Sequence, residues 1–325
     1  MAATTPAALG EDLDRHRAEL TGYCYRMLGS PFEAEDAVQE TLLRAWRGRG
    51  GYDEARASLR TWLYRIATNI CLDMLKGRGR RARPVDLGPA AEPGPDIGAP
   101  LPERVWVQPI PDSRVLPEEG EGGDPAALAV ARETIGLAFV AALQHLSPRQ
   151  RAVLILRDVL CWRAAEVAEL LDMSVAAVNS ALQRARAALP ARRPAETSPA
   201  LGAEHAALLA RYVAAFERYD VAALVALLRE DATMSMPPFA WWLSGRDAIE
   251  RALAASAGRC AGSRLVPVAA NGTVAFGQYL PDGAGGHRRF ALLLLDIAGG
   301  LVAAMTTYLD DPRLLDLFGL PETLP

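Results

Sequence analysis

Residues 163–189 have the sequence RAAEVAELLDMSVAAVNSALQRARAAL, in which two helical patterns follow each other closely. Its pattern of apolar and polar residues predicts a short helix over 164–171, a three-residue turn at 172–174 and a longer helix from Val175. Ser174 can cap the second helix. The small side chain of Ala168 lets the two helices cross closely. This spacing predicts a helix-turn-helix.

The second of these helices has two different faces. The face predicted to point inward carries Val175, Val178, Ala181, Leu182 and Ala185. The opposite face carries Ala176, Asn179, Ser180, Gln183 and Ala187, flanked by Arg184 and Arg186. Amides can read base edges in a major groove while arginines contact phosphates. A helical hairpin packed on another element would have the same spacing, so this motif alone leaves both interpretations open.

A second amphipathic helix is predicted from SPFEAEDAVQETLLRAW, residues 30–46. Ser30, Pro31 and Glu33 indicate a capping box with proline at the first helical position. Ala34, Val38, Leu42 and Ala45 form an apolar stripe, and the opposite face carries Asp36, Gln39, Glu40 and Leu43. An acidic-amide face with one large apolar residue is either solvated surface or a protein interface.

The segment LRTWLYRIATNICLDML, residues 59–75, is a third predicted helix. Its apolar stripe is Leu59, Trp62, Leu63, Ile66, Ile70 and Met74. The opposite face carries Arg60, Tyr64, Thr68 and Leu72, with Asn69 and Lys76 on its flank and then Arg78, Arg80, Arg81 and Arg83. We assign Trp62 to the core. Tyr64 is either a ring on which a base can stack or ordinary surface.

Charge is segregated along the chain, although its net charge is only −4. Residues 44–83 hold 11 basic and 3 acidic side chains, residues 84–142 hold 3 and 10, and residues 143–193 hold 8 and 4. Two basic blocks therefore flank an acidic spacer rich in proline and glycine. Local basic blocks of this kind are compatible with nucleic-acid binding.

Composition excludes several classes of site. The four cysteines are far apart and form no CxxC pair, which argues against a zinc site or a disulfide framework. No apolar run approaches the roughly twenty residues of a membrane span, and the N-terminus does not read as a signal peptide. We therefore expect a cytoplasmic protein with no metal, no cofactor and no membrane contact.

Three segments of the chain resemble those of a known protein family. GSPFEAEDAVQETLLRAW and RTWLYRIATNICLDML are similar to region 2 of bacterial sigma-70-type initiation factors of the extracytoplasmic-function (ECF) group. LSPRQRAVLILRDVLCWRAAEVAELLDMSVAAVNSALQRARAAL is similar to their region 4. The resemblance implies region 2 over 11–83, a linker over 84–124 and region 4 over 125–193. The departures are Met173, where many such turns have glycine, and a long linker, in which VWVQPIPDSRV could dock on a neighbouring surface.

The resemblance also implies partners and contact residues. Region 2 would bind the clamp helices of the largest subunit of core RNA polymerase through Asp36, Gln39, Glu40 and Leu43. It would bind the −10 promoter element through Arg60, Tyr64, Thr68, Asn69, Leu72, Lys76 and Arg80. Region 4 would bind the −35 element through Ser174, Ala176, Asn179, Ser180, Gln183, Arg184 and Arg186.

Residues 204–318 change character and predict an α+β domain. Two helices precede β-like runs, with PDGAGGH and AGG as hairpin turns. The pattern resembles the SnoaL-like (polyketide-cyclase-like) folds, which form a cone. Six large side chains either line an apolar pocket or fill the core: Met234, Met236, Phe239, Trp241, Trp242 and Tyr279. Asp296 and His287 are weak candidates for a catalytic base, and no acid–base pair compels an enzyme.

The fold class expected is multidomain, with two all-α sigma domains and a C-terminal α+β cone. The function expected is a sigma factor regulated in cis by that C-terminal domain, through either a small-molecule ligand or an intramolecular contact. Two alternatives stay open at this point. One is a ligand-responsive helix-turn-helix repressor, and the other is a cone-fold isomerase or cyclase with a DNA-binding module.

Overall fold

The computed structural model describes residues 13–116, 125–189, 203–309 and 311–325. The chain forms two compact units that interleave along the sequence. Of the described residues, a helical unit comprises 13–81, 107–116 and 125–189, and a sheet unit comprises 82–106, 203–309 and 311–325. The predicted domain limits at residues 11, 124 and 193 lie outside the described residues.

The helical unit is built from α-helices, and residues 75–124 separate the third from the fourth. The helices are α1 (Arg17–Leu28), α2 (Pro31–Gly48), α3 (Leu59–Met74), α4 (Pro125–Ile135), α5 (Leu137–Leu143), α6 (Pro148–Leu154), α7 (Ala164–Leu170) and α8 (Val175–Ala188). A short π-helix, Ile155–Val159, follows α6. The two predicted all-α parts of the chain are therefore confirmed as helical.

Serine hydroxyls define the starts of three of these helices. Ser58 accepts a hydrogen bond from the Thr61 amide at the start of α3. Ser174 does the same for the Ala177 amide at the start of α8. A reciprocal capping box with Gln150 opens α6, as the SPRQ sequence predicts. Each cap satisfies amides that the first turn of a helix leaves without an internal partner.

The capping box predicted at Ser30 is wrong. Helix α2 does begin at Pro31, but the Ser30 hydroxyl makes no capping bond. It donates instead to Gln108 Oε1 at 2.6 Å. Glu33 is also engaged elsewhere, because its Oε1 accepts from Arg78 NH1 at 2.6 Å and lies 2.8 Å from Arg81 NH2. A tertiary partner has replaced the local cap.

That partner belongs to a segment of the predicted linker that packs on α1. The Gln108 amide donates to the Gly29 carbonyl at 3.0 Å, and the Gln108 carbonyl accepts from the Tyr25 hydroxyl at 2.8 Å. Val107, Ile110 and nearby Leu116 are buried. Residues 107–116 are therefore an ordered part of the helical unit.

Two buried arginines join α1 to the helices that follow the linker. Arg26, on α1, donates from Nε to the Thr134 carbonyl at 3.0 Å and from NH2 to Thr134 Oγ1 at 2.8 Å. Arg151, on α6, donates to the Met27 carbonyl and, at 2.6 Å, to Gln144 Oε1. Burial lowers the pKa of each guanidinium to about 10, so both remain charged at neutral pH.

The sheet unit combines helices with one seven-stranded sheet. Its helices are α9 (Ala203–Arg218), α10 (Val221–Ala226), α11 (Arg246–Cys260) and α12 (Pro312–Leu317). Its strands are β1 (Leu228–Ser235), β2 (Trp242–Ser244), β3 (Arg264–Ala270), β4 (Thr273–Pro281), β5 (His287–Ala298), β6 (Leu301–Leu309) and β7 (Thr323–Leu324). The strand order is β2-β1-β6-β5-β4-β3, with β7 paired to β5. The β1–β6 pair is parallel and the other pairs are antiparallel.

The core of the sheet unit lies between its helices and the inner face of the sheet. On α9, the rings of Tyr212 and Phe216 stack with centroids 5.9 Å apart, and Tyr212 stacks on Phe276 of β4 at 6.4 Å. Leu293 and Met305 continue this cluster on β5 and β6. The α+β character predicted for this part of the chain is confirmed, including the turns between β4 and β5 and between β5 and β6.

The first part of the predicted linker belongs to the sheet unit. Ala82 and Trp106 form a parallel bridge, and the Ala82 amide donates to the Val105 carbonyl at 2.7 Å. We call residues 82–106 the connector loop. Its Ala91 and Ile97 side chains pack against the core cluster of the sheet unit. Tertiary contacts therefore hold both described parts of the predicted linker, and the docking expected for VWVQPIPDSRV is observed for residues 107–115.

Candidate polymerase and promoter interfaces

Helix α2 presents an exposed acidic-amide face. It buries Ala34, Ala37, Val38, Thr41 and Ala45. On the other side Asp36 and Gln39 are exposed, and Leu43 is 41% exposed, a large fraction for a leucine. Glu40 is half-buried, and its Oε1 accepts from Arg44 Nε at 2.6 Å. The four residues proposed from the sequence therefore share one accessible face.

Trp46 extends this face and was missed from the sequence. It is 37% exposed and lies three residues after Leu43, so the two apolar side chains are neighbours on the helix surface. The Arg49 guanidinium lies 4.6 Å from the Trp46 ring centroid. The i, i+3 spacing of Leu43 and Trp46 was the signal that could have found it.

The structure corrects two residues proposed for −10 binding. Tyr64 and Thr68 are fully buried in the helical unit. The Tyr64 ring lies 5.1 Å from the Tyr23 ring of α1. Thr68 Oγ1 lies 2.8 Å from the Tyr23 hydroxyl and donates to the Tyr64 carbonyl at 2.6 Å. Both side chains are packed in the interior of the helical unit, because α1 covers the side of α3 on which they lie. Helical periodicity alone does not predict this cover.

Trp162, just before α7, covers the same side of α3. Its ring lies 5.0 Å from the Tyr64 ring. The Arg60 guanidinium lies 5.2 Å from both ring centroids, and Arg60 Nε donates to Glu19 Oε2 at 2.9 Å. One turn along α3, Arg65 NH2 donates to the Glu169 carbonyl of α7 at 2.9 Å. The helices after the linker therefore lie directly against α3.

The other residues proposed for −10 binding are more accessible. Asn69 and Lys76 are exposed, with Lys76 Nζ 2.6 Å from Asp73 Oδ1, and Leu72 is half-buried. Arg80 is exposed and lies 2.8 Å from His145 Nδ1 through its NH1. Trp62, assigned to the core, is half-buried and stacks on Tyr52 with centroids 4.9 Å apart.

The helix-turn-helix forms with its polar face exposed. Val178, Ala181, Leu182 and Ala185 of α8 are buried, whereas Val175, predicted to face inward, is 45% exposed because it lies in the first turn. The residues proposed for −35 binding are exposed: Ser174, Ala176, Asn179, Ser180, Gln183, Arg184 and Arg186. The left-handed residue of the turn is Asp172, with φ of 52°, so Met173 needs no glycine-like conformation.

Three polar groups on this face already have partners. The Ser174 hydroxyl caps α8. Arg184 NH1 donates to Ser180 Oγ at 2.6 Å. Arg186 forms a two-pronged pair with Asp158, at 2.9 and 2.6 Å. Arg184 therefore contacts a neutral hydroxyl, whereas Arg186 is paired with a carboxylate. Arg184 is the more available of the two for contact with a phosphate, because it would not have to break an ion pair with Asp158.

The six residues proposed for an apolar pocket lie in different surroundings. Trp241 belongs to the core cluster, and Met234, Met236 and Phe239 pack against it. Trp242 is half-buried and its Nε1 donates to the Gly88 carbonyl of the connector loop at 3.0 Å. Tyr279 is buried and its hydroxyl donates to the Pro321 carbonyl at 2.9 Å.

The weak candidates for a catalytic base in the sheet unit are not brought together. Asp296 is exposed near the end of β5, and His287 starts that strand, with Nε2 3.1 Å from the Gly262 carbonyl. Within the described ranges, no group of three or more His, Cys, Asp and Glu side chains could hold a metal ion. A search of the same ranges found no helix long and apolar enough to span a membrane.

Replacing Thr68 with valine should destabilise the helical unit by about 1–3 kcal/mol, because the buried Tyr23 hydroxyl loses its partner. Burial also raises the pKa of the Tyr23 hydroxyl well above its usual value, so ionisation of that hydroxyl does not relieve the loss of its partner. Urea unfolding measures the change. The exposed neighbour provides the control, and Asn69→Ala should change stability by less than about 0.5 kcal/mol. A Thr68→Val protein of unchanged stability would show that this buried hydrogen bond contributes nothing.

Comparisons with known proteins agree with this arrangement of helices and sheet. Residues 13–81 match the model of Sigma-70 region 2, residues 136–189 match Sigma-70, region 4, and residues 209–304 match the SnoaL-like domain. The solved structure of the ECF sigma factor SigJ from Mycobacterium tuberculosis superposes with a TM-score of 0.63 at 24% identity. That match covers 97% of this chain and 100% of the SigJ chain, and it supports the fold.

Curated relatives carry the same family name. The chain is 46% identical over 318 residues to the ECF RNA polymerase sigma factor SigG of Mycobacterium tuberculosis, covering 95% of this chain and 83% of SigG. It is 32% identical over 219 residues to the ECF RNA polymerase sigma factor SigJ of the same species, covering 67% and 62%. With the exposed faces of α2 and α8, these matches identify the chain as a member of the ECF sigma factor family with a SnoaL-like C-terminal domain.

Proposed function

We propose that this protein directs core RNA polymerase to specific promoters and that its C-terminal domain regulates it in cis. One observation carries the proposal. The helical unit exposes an acidic-amide face on α2 and the polar face of a helix-turn-helix on α8. A helix-turn-helix repressor has no need of the first face, and family membership also favours the sigma factor over the repressor and the cone-fold enzyme. The chemistry of transcription would belong to the polymerase.

The α2 face suits a basic protein partner. Asp36, Gln39, Glu40 and Leu43 offer two carboxylates, an amide and an apolar side chain on one side of the helix. Carboxylates facing a basic surface speed association and fix register, and a central apolar residue gives contact area. Trp46 would enlarge that apolar centre. We assign this face to the clamp helices of the largest polymerase subunit.

The α8 face suits a major groove at the −35 element. Asn179 and Gln183 are one turn apart, so their amides could reach neighbouring base edges. Arg184 would contact a phosphate, and Arg186 could do so once it separates from Asp158. Short side chains at Ala176 and Ser180 would allow close approach of the helix to the DNA.

Use of Arg60 at the −10 element would require region 4 to move away from region 2, because its guanidinium lies 5.2 Å from the Trp162 ring centroid. In the helical unit, one side of α3 is covered by the Trp162 ring and by the hydrogen bond between Arg65 and the Glu169 carbonyl. We assign −10 contacts to Asn69, Leu72, Lys76 and Arg80, with Arg60 joining once it leaves Trp162. Tyr64 and Thr68 keep their packing roles. Basic contacts of this kind make binding strongly dependent on salt.

The C-terminal domain is proposed as a regulator without catalytic activity. Its SnoaL-like fold is shared with enzymes, but a fold alone does not supply a function. Asp296 lies near the end of β5 and His287 at its start, so the two do not form an acid–base pair. Acting on RNA polymerase would place the protein in the cytoplasm.

Promoter-dependent initiation by core RNA polymerase tests the proposal. The full chain is compared with a truncation ending near residue 200 on a pool of the organism's promoters. Transcripts from either protein establish the sigma activity, and their ratio gives the sign of regulation. Absence of transcripts from both folded proteins would contradict the proposal and favour the repressor.

Replacing Asp36, Gln39 and Glu40 together with alanine should abolish association with core polymerase. These side chains are exposed or half-buried, so α2 should remain folded, which circular dichroism can verify. The matched control is Asp247→Ala with Glu250→Ala, two exposed acids on α11. If the triple variant still pulls down core enzyme as the wild type does, the interface lies elsewhere.

Arg184→Ala should weaken −35 binding and reduce the salt dependence. Loss of one phosphate contact lowers the slope of log K against log salt by about one unit. Titrations of a −35 duplex at several salt concentrations measure the slope. Arg259→Ala, an exposed arginine on α11, should leave it unchanged. An unaltered slope for Arg184→Ala would remove that residue from phosphate binding.

A further inference from the structure

Two arginines flank the exposed polar face of α8, and they lie on opposite sides of it. Arg184 and Arg186 are two positions apart in the sequence, which places their side chains about 200° apart around the helix. Both residues are exposed. A helix that lies in a major groove has a phosphate backbone along each of its sides. The two guanidinium groups would therefore meet phosphates on opposite walls of the groove.

The two arginines differ in the groups that they contact. Arg184 NH1 donates to Ser180 Oγ at 2.6 Å, a contact within α8. Arg186 donates to a carboxylate outside the helix, from Nε to Asp158 Oδ2 at 2.9 Å and from NH2 to Asp158 Oδ1 at 2.6 Å. Asp158 lies in the π-helix Ile155–Val159, so this pair joins two elements of region 4. A DNA phosphate that approaches this side of α8 meets a guanidinium that already binds an anion.

We propose that Asp158 is a specificity-determining residue, which competes with DNA phosphates for Arg186 and thereby weakens binding to DNA that lacks a promoter. The inference rests on the proposed sigma function and adds to it a residue outside α8. Arg184, whose partner is a neutral hydroxyl, would contact a phosphate without losing an ion pair. Arg186 would have to exchange one anion for another.

This competition acts most strongly on DNA that offers no matching bases. Binding without sequence recognition depends on phosphate contacts. On such DNA, a contact between Arg186 and a phosphate breaks the pair with Asp158 and leaves that carboxylate beside the negatively charged backbone. At a −35 element, base contacts by Asn179 and Gln183 would hold α8 in the groove and keep a phosphate close to Arg186. The exchange then occurs within a complex that is already formed, so it costs less affinity.

The exposure of the pair limits the size of the effect. The side chains of Arg186 and Asp158 are 62% and 30% exposed. An ion pair of this kind shifts a binding equilibrium by up to about fivefold, because water screens the charges. A change of this size at sites without a promoter still matters, because such sites greatly outnumber promoters in a genome.

Asp158→Asn tests the competition, because it keeps the shape of the side chain and removes its charge. Binding of the full chain is measured on a scrambled duplex and on a −35 duplex from a promoter that the initiation assay identifies. The variant should bind the scrambled duplex about three- to fivefold more tightly and the −35 duplex less than about twofold more tightly. On the scrambled duplex, the slope of log K against log salt should become steeper by about one unit, because Arg186 gains a phosphate.

Two controls separate the ion pair from a general effect of charge. In an Arg186→Ala background, Asp158→Asn should no longer tighten binding, because the arginine that it releases has been removed. A second two-pronged pair, between Arg229 and Asp231 of β1, has distances of 2.8 and 3.0 Å. Asp231→Asn should leave binding to both duplexes unchanged.

Two results would overturn the inference. Equal tightening by Asp158→Asn with and without Arg186 would show that the carboxylate acts on DNA directly and not through the arginine. Weaker binding of the scrambled duplex by Asp158→Asn would show that the carboxylate orients Arg186 toward a phosphate and does not compete with it.

Initiation by the holoenzyme measures the consequence for promoter selection. Core polymerase is combined with the wild-type chain or with Asp158→Asn, and transcripts from the promoter pool are compared with and without excess promoter-free plasmid. The plasmid should reduce transcripts several-fold more for Asp158→Asn, because more of the variant binds to DNA without a promoter. An equal reduction for both proteins would contradict a role of Asp158 in specificity.

The outcomes also separate this inference from the proposed function. Absence of transcripts from the wild type and the variant, with equal binding of both duplexes by the wild type, would reject the proposed function. Promoter-dependent transcripts from both proteins, with unchanged binding of the scrambled duplex by Asp158→Asn, would reject only the competition. Tighter binding of the scrambled duplex that depends on Arg186 supports the inference.

Discussion

The helical unit depends on the burial of one guanidinium, that of Arg151, against the C-terminal end of α1. The last carbonyls of a helix have no partner inside it and carry partial negative charge. Arg151 donates to one of them, that of Met27, and to Gln144 and Leu146. Removing a partner from a buried charge costs about 3–5 kcal/mol. This contact therefore fixes where the helices of region 4 lie on region 2, and with them Trp162.

The chemistry of this contact also explains how the same surfaces can separate. Desolvation offsets much of the attraction that a buried charge gains, so such contacts contribute less net free energy than their geometry suggests. Arg26 and Arg151 become hydrated when the surfaces part, whereas an apolar interface of the same area would expose hydrocarbon to water. Charged groups and backbone carbonyls thus define one closed arrangement and still permit opening. That combination suits a protein in which Trp162 lies against Arg60 of α3 until the two surfaces part.

The sequence is sufficient for features that depend on near neighbours along the chain. The helix-turn-helix, the caps at Ser147 and Ser174, the exposed face of α2 and the two hairpin turns in the C-terminal domain all follow from local spacing and turn chemistry. Tyr64 and Thr68 could not be placed in this way. The periodicity of the sequence distinguishes the two faces of α3. It does not reveal that Tyr23 and Trp162, which are distant in the sequence, cover the second face. The capping box predicted at Ser30 is wrong for the same reason, because the Ser30 hydroxyl donates to Gln108, which is distant in the sequence.

The connector loop shows why composition alone misjudged the linker. Proline, glycine and acidic residues cannot form a core of their own, so the segment reads as a spacer. It is ordered because other parts of the chain supply edges and apolar contacts: α1 for residues 107–116, and residues 238–242 for the connector loop. The buried arginines contribute to the free energy needed to part region 2 from region 4.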